Sequence, residues 1–277
     1  MVAVQTDPTI IAPGARPEDA ASPNEVPQSI RAMFDTIAPT YDRANHLLSF
    51  GLDRFWWTRT ARALRTILAR PDALVLDLCC GTGDLTLALN KHRPQLPEAA
   101  GPSTSALAPT LGMTERSGIM PLVAADFAPK MLALARPKFD GHNIIALEAD
   151  ALNLPFPDAS LDLITFAFGF RNLADYTAGL AELHRVLRPG GEIAILECNQ
   201  PDGVIGWLYS LYFRRTLPSL GGLISGTPRA YAYLPDSVQR FPRPPRMKEM
   251  IEAAGFKNAT WTSYTFGTAG LYRAVKP

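Results

Sequence analysis

The sequence has no long apolar run, no paired cysteine spacing and no surplus of either charge, and each absence narrows what the chain can do. The longest apolar stretches, around Leu161 to Phe170 and Val204 to Phe213, fall well short of the roughly 20 residues that a membrane-crossing helix needs. Any membrane contact is therefore expected to be peripheral. The three cysteines, Cys79, Cys80 and Cys198, offer neither C-x-x-C spacing nor an even count, which argues against a disulfide framework or a zinc site and for free thiols in a reducing cytosol. His46, His92, His142 and His184 share no helical face and no ligand spacing, so each reads as solvated or core-satisfied and no metal is expected. A net charge of +1, from 27 basic and 26 acidic residues, gives no electrostatic pull towards nucleic acid. The first 26 residues lack a basic segment followed by an apolar one, so they read as a disordered tail and not as a signal peptide.

What is present is the composition of a soluble globular protein, 47% hydrophobic over 277 residues, with residues 27–277 read as one domain. Trp57, Ala61, Leu64 and Leu68 recur at helical spacing and predict a helix from about Asp53 to Ala69, ended by Pro71. Short apolar runs then alternate with helical patterns, predicting strands at 74–78, 121–126, 144–149, 161–168 and 192–198. That rhythm is the signature of a parallel α/β sheet. Leu180, Leu183, Val186 and Leu187 mark a helix before the fifth strand, closed by a turn at Arg188-Pro189-Gly190-Gly191. Runs at 260–264 and 271–275 predict a closing hairpin. Residues 93–118 read as an exposed insertion. Residues 200–245, with Trp207, Tyr209, Tyr212, Tyr231, Tyr233 and Gly221-Gly222, read as a lid over an apolar ligand.

The most informative segment is Val75-Leu76-Asp77-Leu78-Cys79-Cys80-Gly81-Thr82-Gly83-Asp84-Leu85, a buried strand running into a glycine turn and a helix start. Gly81 and Gly83 permit positive φ and close approach of a ligand to the backbone. Thr86 stands where a dinucleotide fingerprint would need its third glycine, which disfavours pyrophosphate binding. In an open parallel sheet the ligand sits beyond the carboxyl ends of the strands. Those ends carry Asp77, Asp126, Asp150-Ala151, Gly169 to Asn172, and Glu197 with Asn199. A carboxylate at the second strand end can accept both ribose hydroxyls, and Asp150-Ala151 can hold an adenine through a side chain and an N–H. Asp126 follows the turn at roughly twice the usual spacing of about 20 residues, and the insertion accounts for the excess. The competing reading makes these aspartates, and Thr82, simple helix caps, with Cys79 and Cys80 as small packing residues.

On these and further motifs the chain resembles class I S-adenosylmethionine-dependent methyltransferases, and within them the ubiquinone/menaquinone biosynthesis C-methyltransferases. The specific signals are Tyr41-Asp42 with Ser49-Phe50-Gly51, Phe168-Gly169-Phe170-Arg171-Asn172, and Tyr233-Leu234-Pro235-Asp236-Ser237. The resemblance spans about Met33 to Arg273. It implies a Rossmann-like fold with a mostly parallel seven-stranded sheet, helices on both faces and a C-terminal antiparallel hairpin. It also implies S-adenosylmethionine as methyl donor, contacted by Thr82, Asp126, Asp150 and Ala151 beside Asp77, Gly81 and Gly83. Ala167 stands where some members carry a serine contact, so that contact is absent. The implied acceptor is a ring carbon of a polyprenyl quinol: demethylmenaquinol giving menaquinol, or a methoxy-polyprenyl benzoquinol on the ubiquinone route. Arg171 would stabilise the ring oxyanion with Asn172 orienting it, and Tyr41 with Asp42 would close the site. A guanidinium stays cationic, so the proton is expected to pass to a water that Arg171 holds. The competing reading of Arg171 is a surface ion pair with Asp175. A non-catalytic scaffold that binds the donor is a more distant alternative. The expected location is the cytoplasm, peripheral at the inner face of the membrane, with a homodimer left open.

Overall fold

The computed structural model describes residues 14, 15, 17, 22, 25–95, 118–211 and 228–277, and of 208, 210 and 228–232 the backbone alone. Seven strands form one sheet in the order β3-β2-β1-β4-β5-β7-β6, with β1 Val75–Leu78, β2 Leu122–Asp126, β3 Ile144–Glu148, β4 Leu161–Ala167, β5 Leu187–Cys198, β6 Lys257–Tyr264 and β7 Ala269–Val275. The first five are parallel. β7 runs antiparallel between β5 and β6. The order reverses between β1 and β4, which opens the crevice where a parallel sheet takes its ligand.

Strand side chains alternate between two faces, and the sequence supplies apolar residues for both. Leu76, Val123, Ile164 and Ile195 face one layer with Leu180, Met247 and Ile251, from helices Tyr176–Val186 and Pro244–Ala253. Val75, Leu122, Leu163 and Leu196 face the other, packed by Trp56, Leu64, Leu68, Leu85 and Leu89. That second layer comes from α3 (Leu52–Ala63), α4 (Arg65–Leu68) and α5 (Asp84–Asn90). Two N-terminal helices, α1 (Val26–Ile37) and α2 (Tyr41–Leu48), precede them, and α6 (Pro129–Phe139) joins β2 to β3. Ile37 and Ala38 pack on Ala128 and Met131, which fixes this N-terminal layer over the carboxyl ends of the strands.

Several expectations need correction. The single helix expected over 53–69 is two, broken at Leu64, although Ala61, Leu64 and Leu68 do share the buried face. Trp56 and not Trp57 is the buried tryptophan, and its indole N–H donates to Thr265 Oγ1 at 2.8 Å. The turn expected at 188–191 lies inside β5. The β4–β5 register jumps there, from Leu161 opposite Leu187 to Leu163 opposite Glu192. Gly190, at φ +79, makes the bulge possible, and backbone bonds between Gly190, Gly191 and Lys276 tie it to the end of β7. Ala15, within the expected tail, is buried and donates its N–H to Leu173 O at 2.8 Å. Arg93, expected at the edge of an exposed insertion, is buried and donates to the carbonyls of Ala73 and Met120. Residues 96–117 lie outside the described residues, as do Tyr212 and Gly221-Gly222. The described parts of 200–245 include helices α8 (Gly203–Leu211) and α9 (Pro228–Arg240), which follow α7 (Tyr176–Val186) in chain order.

Candidate active site

The turn after β1 is left-handed at Cys79, Gly81 and Gly83, with φ of +55, +57 and +89. A side chain at Gly83 would meet the Phe139 ring within 2.6 Å, so this glycine is needed for packing beneath the turn and lines no described cavity. Gly81 faces open space, its nearest would-be neighbour being the Tyr41 ring at 3.9 Å. Asp77 lies under the turn with both oxygens occupied. Thr86 and Thr165 each donate a hydroxyl to it at 2.6 Å. Thr86 thus has a positive use where a dinucleotide site would have glycine.

Burial pushes the Asp77 carboxyl up to about 6, against the pull of the two hydroxyls. A carboxyl raised above its unfolded value of about 3.9 adds stability at low pH that is lost as pH rises through the folded value. Asp77→Asn removes that titration. Relative to the parent, the variant should therefore gain on the order of 2 kcal/mol between pH 4 and pH 7. Urea unfolding at the two pH values measures it, and a constant difference would rule the assignment out.

Asp126 ends β2 and accepts N–H groups from Gly81 and Ala128, each at 2.8 Å. It does not cap α6, whose N-cap Ala128 has no side-chain cap. Burial raises its carboxyl to about 6, opposed by those N–H groups. Each oxygen keeps a further lone pair. Asp150 accepts the Leu152 N–H at 2.9 Å, next to buried Ala151. Thr82 is no cap either: its hydroxyl donates to Asp42 at 2.5 Å, and Lys138 bridges Asp42 and Asp84. α2, the glycine turn and α6 are thereby clamped together.

Two cavities open at this crevice, one of about 260 Å³ and one of about 80 Å³. Asp77, Thr82 and Arg171 line the larger; Asp126, Asp150 and Ala151 line the smaller. Tyr41, Gly81 and Asn172 border both. Apart from Gly83, the residues assigned above to the donor, and Tyr41, Arg171 and Asn172 with them, line one or both of these adjoining cavities.

Arg171 is buried, and its partner is not Asp175. Its Nη1 donates to Glu197 at 2.6 Å and to the Phe168 carbonyl at 2.5 Å, while its backbone N–H reaches the other Glu197 oxygen at 3.2 Å. Asp175 instead caps α7 through the N–H groups of Thr177 and Ala178. Burial opposes the guanidinium charge, but the Glu197 carboxylate outweighs it and drives the Arg171 pKa upwards. Asn172 accepts the Tyr233 hydroxyl at 3.2 Å, and burial raises that phenol to about 12.

Sequence reasoning missed three features of the pocket. Glu197 was noted only as a strand end, although the rule that found Asp126 applies equally to it. Scattered spacing makes His46 a solvated or core-satisfied histidine, yet it lines the larger cavity and pairs with buried Asp53. The two stand seven positions apart across a helix break, so no helical periodicity links them. Among the described residues, four of the seven left-handed non-glycine residues, Phe50, Cys79, Phe168 and Thr265, line the larger cavity. Such strain, about 1–3 kcal/mol per residue, concentrates at functional sites but leaves no mark in composition.

Residues 23–276 match the model of the ubiE/COQ5 methyltransferase family. The chain is 45% identical over 248 residues to a demethylmenaquinone methyltransferase of Thermus thermophilus, covering 88% of this chain and 100% of that one. It is 38% identical over 254 residues to a ubiquinone/menaquinone biosynthesis C-methyltransferase UbiE of Geobacter sulfurreducens, covering 90% and 89%. Among solved structures, a SAM-dependent methyltransferase of Thermotoga maritima superposes with a TM-score of 0.56 at 15% identity, over 90% of this chain and 100% of that chain. That likeness concerns the fold alone.

Proposed function

The chain belongs to the ubiE/COQ5 methyltransferase family, and from that premise we propose that it methylates a ring carbon of demethylmenaquinol to give menaquinol. The observation that carries this reading is the divided pocket, with Asp126, Asp150 and Ala151 on one side and Arg171 and Asn172 reaching the other. The small side fits an adenosine: the free lone pairs of Asp126 can accept the two ribose hydroxyls, and Asp150 with Ala151 can meet the base. Gly81, with no side chain and open space before it, suits the close passage of the methionine end. When bound, S-adenosylmethionine supplies a methyl group on an electrophilic sulfonium.

The remaining task of this chain's residues is to position the ring and stabilise its oxygen. Arg171 does the second. Glu197 keeps its guanidinium cationic and fixed, facing the cavity in which the ring oxygen gains charge. Asn172, held by Tyr233, presents an amide beside it, and Tyr41 stands where the two cavities meet. Phe50 and Leu52 line the larger cavity, and Phe50 is 76% exposed, which supports a rim that takes a polyprenyl tail and a peripheral contact with membrane lipid. No helix among the described residues is long and apolar enough to cross a membrane.

Relatives named for both quinones favour testing a benzoquinol as well. The test incubates the protein with S-adenosylmethionine and each reduced quinone, and reads the product mass. A gain of one CH2 on the naphthoquinol is expected. Absence of methylated naphthoquinol overturns the reading. Asp126→Ala should weaken S-adenosylmethionine binding by at least about tenfold, as loss of charge-assisted hydrogen bonds worth about 1.5–3 kcal/mol requires. Unchanged calorimetric affinity would remove Asp126 from the donor site.

A further inference from the structure

Methylation of a quinol carbon releases one proton per turnover. The ring O–H bond breaks, and the ring carbon takes the methyl as the carbon–sulfur bond breaks towards sulfur. That carbon then loses its hydrogen while the ring oxygen regains one. The wall of the larger cavity offers few groups able to take the first proton. Asp77 is held by two hydroxyls, Asp42 by Thr82 and Lys138, and Asp84 by Lys138. Glu197, which does not line this cavity, is committed to Arg171.

We propose that His46, oriented by Asp53, is the base that accepts the ring-hydroxyl proton; this rests on the quinol methylation proposed above. His46 lies in the last turn of α2 and Asp53 in the first turn of α3. The elbow between them folds back tightly, with left-handed Phe50 and Gly51 and a bond from the Gly51 N–H to His46 O at 2.8 Å. This places His46 Nδ1 2.5 Å from Asp53 Oδ2. The Asp53 side chain is 5% exposed, and its other oxygen accepts the Arg54 N–H at 2.8 Å. A carboxylate in that position takes the Nδ1 hydrogen, which leaves Nε2 with its lone pair. Trp57 stands edge-on to the imidazole at 5.7 Å.

His46 is 28% exposed at its side chain and lines the same cavity as Arg171. A base, a buried carboxylate that orients it and a cation for the developing oxyanion therefore meet around one cavity, the division of labour that acid–base sites require. Asp53 acts as a positioning residue. The other charged groups facing this corner are Asp42 on α2, Asp84 on α5, which interacts electrostatically with His46, and Lys138 on α6.

The test uses the full chain with His46→Gln, His46→Ala and Asp53→Asn. His46→Gln should slow single-turnover methylation about a hundredfold while S-adenosylmethionine affinity, read by calorimetry, stays within about twofold of the parent. The acid limb of its rate–pH profile should flatten. Asp53→Asn should displace that limb, and added imidazole should partly restore His46→Ala. Anaerobic titration of the reduced naphthoquinol without donor gives a second readout: quinolate absorbance should appear with the parent and be lost in His46→Gln. Parent-like rate and acid limb in His46→Gln overturn the proposal, as does a slow variant with no rescue and unchanged quinolate absorbance. A parent that makes no methylated product indicts the quinol reading itself, a distinguishable failure.

Discussion

Glu197→Ala should lower stability by about 3–5 kcal/mol, because it leaves the buried Arg171 guanidinium without its counter-ion. Glu197 is fully buried and takes the Arg171 side chain, the Arg171 N–H and the Cys198 N–H. Water cannot readily replace three such contacts in a closed site. Glu197→Gln keeps the shape and one acceptor oxygen, so its folding penalty should be smaller, while turnover still falls more than about tenfold as the guanidinium loses its fixed position. Urea unfolding and methylation rate separate the two effects. A stability loss below about 1 kcal/mol for Glu197→Ala would mean that the pair is solvated. Arg171→Ala carries the mirror-image penalty, so its loss of turnover has meaning only beside its unfolding curve.

Gly169→Ala is expected to be as damaging for a different reason. Its backbone, at φ −106, suits any residue, but a Cβ there would lie 2.3 Å from Cys79 Cβ and 3.1 Å from Cys79 Sγ. A Cβ cannot rotate away, so one of the two site-forming loops must shift. We expect a loss of about 3 kcal/mol, the upper end for overpacking, together with nearly all turnover. Cys79→Gly removes the obstacle and also relieves a left-handed backbone that costs about 1–2 kcal/mol in an ordinary residue. Adding Cys79→Gly to Gly169→Ala should therefore recover most of the lost stability, with a coupling energy above about 1 kcal/mol by double-mutant cycle. Additive losses would show that the two loops do not meet here.

All seven strands were legible, because runs such as 161–168 and the 260–264 and 271–275 pair are apolar, β-branched or aromatic between clear turn signals, although the last two strands begin earlier, at Lys257 and Ala269. The strand-end rule also groups Asp126, Asp150 and Arg171 at one crevice, since parallel topology carries every carboxyl end to the same edge. What failed was local or long-range in a way that pattern does not encode. Arg188-Pro189-Gly190-Gly191 has turn chemistry, yet pairing with the chain terminus turns it into a bulge. Trp56 and Trp57 are equally apolar, and Trp56 is the one that meets distant partners, Phe168 edge-on and the Thr265 hydroxyl. Asp175 stood at the right spacing for Arg171, but capping α7 gave it better partners. The Glu197 pairing joins two strand ends that only the folded sheet brings together, and the Asp53 pairing depends on the tight elbow between α2 and α3.

The ring of left-handed residues around the cavity has a consequence for laboratory evolution. At Phe50, Cys79, Phe168 and Thr265, glycine or asparagine would relax the chain, so a selection for heat resistance alone should be drawn to these four positions. They are also the positions whose side chains shape the chamber. Libraries of this protein screened only for melting temperature should enrich hardy variants that no longer turn over, and the enrichment should map the cavity wall.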